Sequence, residues 1–197
     1  MSATAWIVLA LVAVVVIWAI AVYNRLVQLR NRIANAFGQI DVQLKRRYDL
    51  VPNLVEVARG YLAHEGATRE AVVKARGQAQ GAAAAARAAP TRASAIGALA
   101  VAEQALGGSL GRLMMVAESY PELKADATMQ SLSEELTSTE NRLGFARQAY
   151  NDQVLDFNDQ AAQFPAIVVA RLLGFPTAPM LESTRSDEER AAPKVQF

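Results

Sequence analysis

The chain contains no cysteine and a single histidine, His64. Disulfides, thiolate metal sites, iron–sulfur clusters, cysteine nucleophiles and any site needing two histidines from one chain are thereby excluded. Net charge is nearly absent as well: 20 Lys plus Arg stand against 19 Asp plus Glu, leaving +1. No overall field gathers nucleic acid or an acidic substrate, and no nucleic-acid partner is expected. Strand signals are scarce, because β-branched residues cluster only near the N-terminus and no Asn-Gly or Asp-Gly turn occurs. Charge is missing altogether from residues 1–24. What is there is a 197-residue chain, 52% hydrophobic and 20% charged, with apolar surface enough for one domain and a sizeable core.

The uncharged start predicts a membrane span. Every residue from Ala5 to Val22 is apolar. At ~1.5 Å per residue this run is about 27 Å long, close to the ~30 Å hydrocarbon core of a bilayer. Trp6, Trp18 and Tyr23 lie near its ends, where interfacial aromatics belong. A cleaved signal peptide has a basic n-region and a shorter apolar core, so an uncleaved single span over residues 1–24 is expected. After it come Arg25, Arg30, Arg32, Lys45, Arg46 and Arg47, with Asp41 the one acid among them. The positive-inside rule then puts the N-terminus outside the cell membrane and the remaining body in the cytoplasm. Arg25, Arg30 and Arg32 are also candidates for contact with lipid headgroups.

Helical periodicity fills the rest. Leu26, Leu29, Ile33, Phe37, Ile40, Leu44, Tyr48 and Val51 recur at steps of three and four, with no breaker separating them from the span. Pro52 is expected to end or kink this helix and to open a second one. The Ala-rich stretch from Gly77 to Pro90 has no large side chain and reads as a frayed end or crossover. A third helix is predicted up to Ser119, with Ile96, Leu99, Leu106, Leu110, Leu113 and Val116 inward. A fourth is predicted from near Asp126 to Phe164, with Met129, Leu132, Leu136, Leu143, Tyr150, Val154, Phe157, Ala161 and Phe164 on one face. The predicted fold is all-α: an N-terminal transmembrane helix continuing into an antiparallel four-helix bundle over residues 25–175. The apolar run Ala166–Phe175 is too short to span; it either lies in the interface or caps the membrane-proximal end of the bundle, and capping is the expectation. Residues 176–197, with three prolines and a charged patch from Glu182 to Arg190, read as a flexible tail. Val195-Gln196-Phe197 is a candidate partner-binding segment there.

Candidate chemistry is thin. His64 has no second His or Cys to complete a zinc site and no positioned partner for base catalysis. Gly107-Gly108-Ser109-Leu110-Gly111 lacks the Gly-Lys-Ser/Thr ending of a phosphate loop, and Gly107 and Gly111 suit close helix packing instead. Glu134, Glu135 and Glu140 lack the Glu-x-x-His pairs of a di-metal bundle. No cofactor, metal or catalytic residue is predicted, and the chain is not expected to be an enzyme. A charge asymmetry is more informative. The basic stretch Arg25–Arg47 faces an acidic one containing Glu118, Glu122, Asp126, Glu134, Glu135 and Glu140. Lys45, Arg46, Arg47, Tyr48, Asp49 and Asn53 are candidates for a protein-docking surface. The plainer reading pairs the cations with the acids across the distal end, worth ~0–1 kcal/mol per exposed pair. Arg142, Arg147, Tyr150 and Asn151 are candidates for a buried polar lock.

Four long motifs carry a resemblance. They are Tyr23-Asn24-Arg25-Leu26-Val27-x-Leu29-Arg30-Asn31-Arg32, the run Gln39 to Val55, Ala117 to Ala125, and Glu140-Asn141-Arg142-Leu143-x-Phe145-Ala146-Arg147-x-x-Tyr150-Asn151-Asp152, followed by Phe164-Pro165. In this order they resemble the LemA family of bacterial membrane proteins; the stretch Gly77–Leu106 matches least. The resemblance implies one N-terminal span and an antiparallel helical bundle. It also implies a link to HtpX-type membrane metalloproteases, as an accessory subunit or regulator, and to magnetosome formation. The residues themselves point to a membrane-anchored scaffold or adaptor, whose expected partners are the membrane, other proteins and a second copy of the chain.

Overall fold

The computed structural model describes residues 2–61 and 65–181. Among these the chain is all-helical, without a strand: α1 (Ala3–Tyr61), α2 (Gly66–Ala88), α3 (Ala93–Glu118), α4 (Pro121–Ala125), α5 (Ala127–Ala162) and α6 (Ala166–Leu172). His64, the Glu182–Arg190 patch and Val195–Phe197 lie outside the described residues.

Helix α1 is a single element of 59 residues, about 88 Å at ~1.5 Å per residue. Its first part is exposed on every side. Trp6, Ile7, Leu9, Leu11, Ile17 and Ile20 each leave more than half of their surface uncovered, a pattern that lipid satisfies and water does not. This part is long and apolar enough to cross a membrane. Burial begins abruptly at Leu26 and follows the predicted stripe through Leu29, Ile33, Phe37, Ile40, Leu44, Tyr48 and Val51. One helix therefore changes surroundings within a turn: uncovered on all faces, then packed against protein on one.

Pro52 does not end α1, contrary to the expectation, and Leu54 and Ala58 extend the buried stripe of the same helix to Tyr61. A proline inside a helix has no N–H for the carbonyl four residues earlier. That carbonyl belongs to Tyr48, and Arg76 of α2 donates its Nε–H to it at 2.6 Å. The second helix consequently starts at Gly66, not at Pro52.

The Ala-rich stretch is also more ordered than expected. Val72, Ala75, Ala79, Ala83 and Ala86 form the buried ridge of a helix that runs unbroken to Ala88. Small side chains contribute little area each, but they let backbones approach closely, and alanine costs nothing in helix propensity. The α2–α3 connection turns at Ala89–Arg92. Tyr120 and Pro121 end α3 as predicted, but they open the short α4 before Asp126 caps α5. The Asp126 carboxylate accepts the N–H groups of Thr128 (2.8 Å) and Met129 (3.0 Å).

Helices α1 and α5 run in opposite directions and pack along their length; α1 also meets α2, and α2 pairs with α3. Tyr61 meets Asp126 at the far end (3.0 Å), Arg46 meets Glu135 further down, and Phe37 stacks edge-on against Tyr150 with ring centroids 6.0 Å apart. The α2–α3 hairpin reaches only to the level of Asp41 and Tyr150, where Arg87 pairs with Asp41 at 2.6 Å and the Tyr150 hydroxyl donates to the Pro90 carbonyl at 2.8 Å. Nearer the membrane α6 takes over as the cover. Its Ala166, Val169 and Ala170 are buried, and Phe175 packs edge-on against Tyr23 (5.5 Å) and at a tilt against Phe157 (6.4 Å). Phe164, assigned inward by period, is instead 86% exposed. Helix α5 stops at Ala162, so the period no longer dictates where Phe164 points.

Candidate functional site

Two constellations gather the polar residues that the sequence singles out. The first is a buried ion cluster between α1, α3 and α5. Arg47 and Glu103 are only 4% and 5% exposed and meet at 2.5 Å (Nη1 to Oε2). The same guanidinium lies 2.8 Å from Glu140 through Nε. The Tyr48 hydroxyl donates to the other Glu103 oxygen at 2.5 Å. Arg147 Nη2 stands 3.9 Å from Glu103. Two cations and two carboxylates cancel, which is the condition for retaining charge in a core. Burial pushes the Tyr48 phenol well above its ordinary range, with the Glu103 charge adding to the effect. Its O–H therefore stays a donor at every physiological pH. Both Glu103 oxygens are engaged and nearly sealed from solvent, so the arrangement locks helices and offers no proton acceptor to a substrate. Gly107, one turn after Glu103, lies beside Arg47, whose Nη2 would make only an ordinary contact, 3.5 Å, with an added Cβ. Gly111, expected to share that packing, faces open space.

Glu103 is the residue that sequence reasoning missed. It occupies the gap between Leu99 and Leu106 on the buried face of α3. A carboxylate at a core position of a helical stripe demands a cation, and that signal was present in the spacing.

The second constellation is an amide clamp on the segment after α6. Asn158 accepts the Ala178 N–H at 2.8 Å and donates to the Ala178 carbonyl at 2.9 Å. Two helical turns back, Asn151 does the same to Leu181, at 2.8 and 2.9 Å. Tyr150 is next to Asn151, and its hydroxyl is within reach of both the Pro90 carbonyl (2.8 Å) and the Pro179 carbonyl (3.0 Å). Its phenol, too, is raised above the ordinary range by burial. Residues 176–181, expected to be flexible, are thus strapped along α5 by side-chain amides that imitate a strand partner. A proline-rich composition hides this, because the partners are side chains 20 to 30 residues away in sequence.

The predicted docking group is divided by the fold. Arg47 and Tyr48 are buried and cannot present a surface, a correction that follows from the ion cluster. Lys45 and Asp49 pair with each other at 3.2 Å on the outside, Arg46 pairs with Glu135 at 2.7 Å, and Asn53 is exposed. These residues also lie well below the distal end, since α1 continues to Tyr61. Of the predicted polar lock, Arg147 joins the ion cluster, Tyr150 and Asn151 join the clamp, and Arg142 stands exposed, apart from both. Among the headgroup candidates Arg25 bonds Gln28 at 3.1 Å, Arg30 lies 5.4 Å over the Phe175 ring, and Arg32 is exposed. Among the described residues no group of three or more His, Cys, Asp or Glu could hold a metal ion.

A span-bearing α1, the Arg47–Tyr48 lock and the Tyr150–Asn151 clamp fall on the motifs of one family, and the family model for LemA matches residues 36–197. The chain belongs to the LemA family. This LemA chain is also 32% identical over 81 residues to magnetosome proteins MamQ 1 and MamQ 2 of Paramagnetospirillum magneticum. It is 30% identical over 78 residues to magnetosome protein MamQ of Magnetospirillum gryphiswaldense. These alignments take in about 40% of the LemA chain (41% and 40%) and 29–30% of each relative, so the chain spans under a third of the relatives it matches.

Proposed function

We propose that this LemA-family protein is a membrane-anchored scaffold: an antiparallel four-helix bundle, held at a fixed height, that presents a coiled surface to protein partners or to further copies of itself. The observation that carries this reading is the continuity of α1. The apolar segment and the core stripe are one uninterrupted helix, so anchor and body have no hinge between them. The internal charges serve structural locks, and the body has no catalysis of its own. With the positive-inside rule the body faces the cytoplasm. The surface available for docking is the exposed remnant of the basic group, Lys45, Arg46, Asp49 and Asn53.

The test is a photoreactive residue at Asn53, crosslinked in native membranes. A discrete set of adducts that disappears with Lys45→Glu supports the scaffold reading at this face. Adducts no more defined than those from Val101 on the outside of α3 would sink it. Introduced cysteines report orientation, since the chain has none of its own. Resistance of Met115→Cys to impermeant thiol reagents in intact cells is expected, and ready labelling reverses the assignment.

A further inference from the structure

Helix α6 buries one face against the body and leaves the other uncovered. The uncovered side is apolar: Phe164 is 86% exposed, Leu172 78%, and Val168 and Leu173 about half. Within α6, Val168 and Leu172 are spaced four apart and form one ridge, and Phe164 is exposed at the α5–α6 corner just before it. From Gln160 to Leu181 the sequence has no Asp or Glu, and its sole cation is Arg171, which is exposed. An apolar ridge of this kind facing water would be a liability.

Its position says what covers it. Phe175, just past the end of α6, packs on Tyr23, and Tyr23 directly follows the last residue of the apolar run. Arg30 closes over the other part of the same ring. The α6 unit is therefore fixed to α1 at the level where α1 leaves the hydrocarbon. We propose that the exposed ridge of α6 and the α5–α6 corner insert into the bilayer interface beside the span, giving the body a second, lateral foothold on the lipid surface. Phe164, Val168, Leu172 and Leu173 enter the acyl boundary, while Arg171 and Arg25 stay at the headgroups. A single span leaves a body free to tilt and rotate about its axis. A foot placed to one side fixes both, and it fixes which face of the body looks along the membrane and which looks away. The inference rests on reading Ala5–Val22 as a span, and the test separates the two.

The full chain is reconstituted into phosphatidylcholine–phosphatidylglycerol vesicles with an environment-sensitive fluorophore on a single introduced cysteine, at Leu172, Ile17 or Met115. Shallow and deep nitroxide lipids serve as quenchers. Emission from position 172 is expected to be blue-shifted relative to position 115 and quenched most by the shallow nitroxide, as for a side chain about 5–10 Å inside the headgroup boundary. Position 17 is expected to be quenched most by the deep nitroxide, and position 115 by neither. Quenching at 17 with none at 172 overturns the foot and leaves the span intact; no quenching at 17 overturns both. Shielding at 172 that depends on protein density and not on nitroxide lipid means that a second copy covers the ridge, which also overturns the proposal. With the reporter moved to Val168→Cys, Phe164→Glu and Leu172→Glu should each lower shallow quenching severalfold. The circular dichroism should stay unchanged, because both side chains are exposed.

Discussion

The bond between Arg76 and Tyr48 makes a quantitative prediction about the proline it compensates. In the helix interior proline costs ~3 kcal/mol, part of it the carbonyl left without a donor and part the clash of the ring. Arg76→Met keeps most of the side chain's bulk and removes the donor. It leaves the Tyr48 carbonyl unpaired, and a lost charge-assisted bond costs about 1.5–3 kcal/mol. For a chain of this size ~1 kcal/mol shifts Tm by about 2–4 °C, so a drop of roughly 3–12 °C is expected. Pro52→Ala restores the N–H and satisfies the same carbonyl from within α1. The cost of Arg76→Met should then fall to well under ~1 kcal/mol, a coupling of about 1–2 kcal/mol in the double-mutant cycle. The assay is thermal and urea unfolding of the four proteins in detergent micelles, followed by far-ultraviolet circular dichroism. Equal costs of Arg76→Met with and without the proline would refute the reasoning, since Arg76 would then be acting through something other than the missing amide.

Removing one charge from the sealed cluster, as in Arg47→Met, should destabilise by about 3–5 kcal/mol, whereas replacing the whole set with apolar residues of similar volume should be close to neutral; urea midpoints distinguish these outcomes. Asn158→Ala removes two bonds to Ala178, at about 1–2 kcal/mol, and should speed amide exchange and proteolysis at residues 176–181 before any global unfolding; unchanged exchange would deny the clamp. The Met129 N–H and then the Tyr61 hydroxyl hold the Asp126 carboxyl below its ordinary range. A depressed folded value stabilises above the ordinary carboxylate pKa, and that contribution is lost as pH falls through the folded value. Tm should therefore fall less on acidification in Asp126→Asn than in the parent, and parallel pH profiles would show that the cap does not titrate with folding.

Much of the fold is legible in the chain because helices declare themselves locally. The steps of three and four from Leu26 to Val51 place every residue of that stripe in the core, since a 3.6-residue turn allows no other face to be buried. The uncharged run before it suits a membrane span for the same reason of periodicity: apolar residues on all sides have no aqueous side to show. Asp126 announces its cap, and the acidic and basic stretches announce that they will meet. What the sequence could not decide were the outcomes that depend on a partner arriving from elsewhere in the chain. Pro52 reads as a break until Arg76 supplies a donor from another helix. The alanines of α2 read as frayed until a facing helix comes close enough to use their smallness. Arg47 and Tyr48 read as surface until Glu103, more than 50 residues on, draws them inward. The segment after α6 reads as loose until Asn151 and Asn158 pair with its backbone. Local propensity acts through neighbours a few residues apart and is written in their order. The satisfaction of a buried carbonyl or charge is a property of position in space, and only the packed structure settles it.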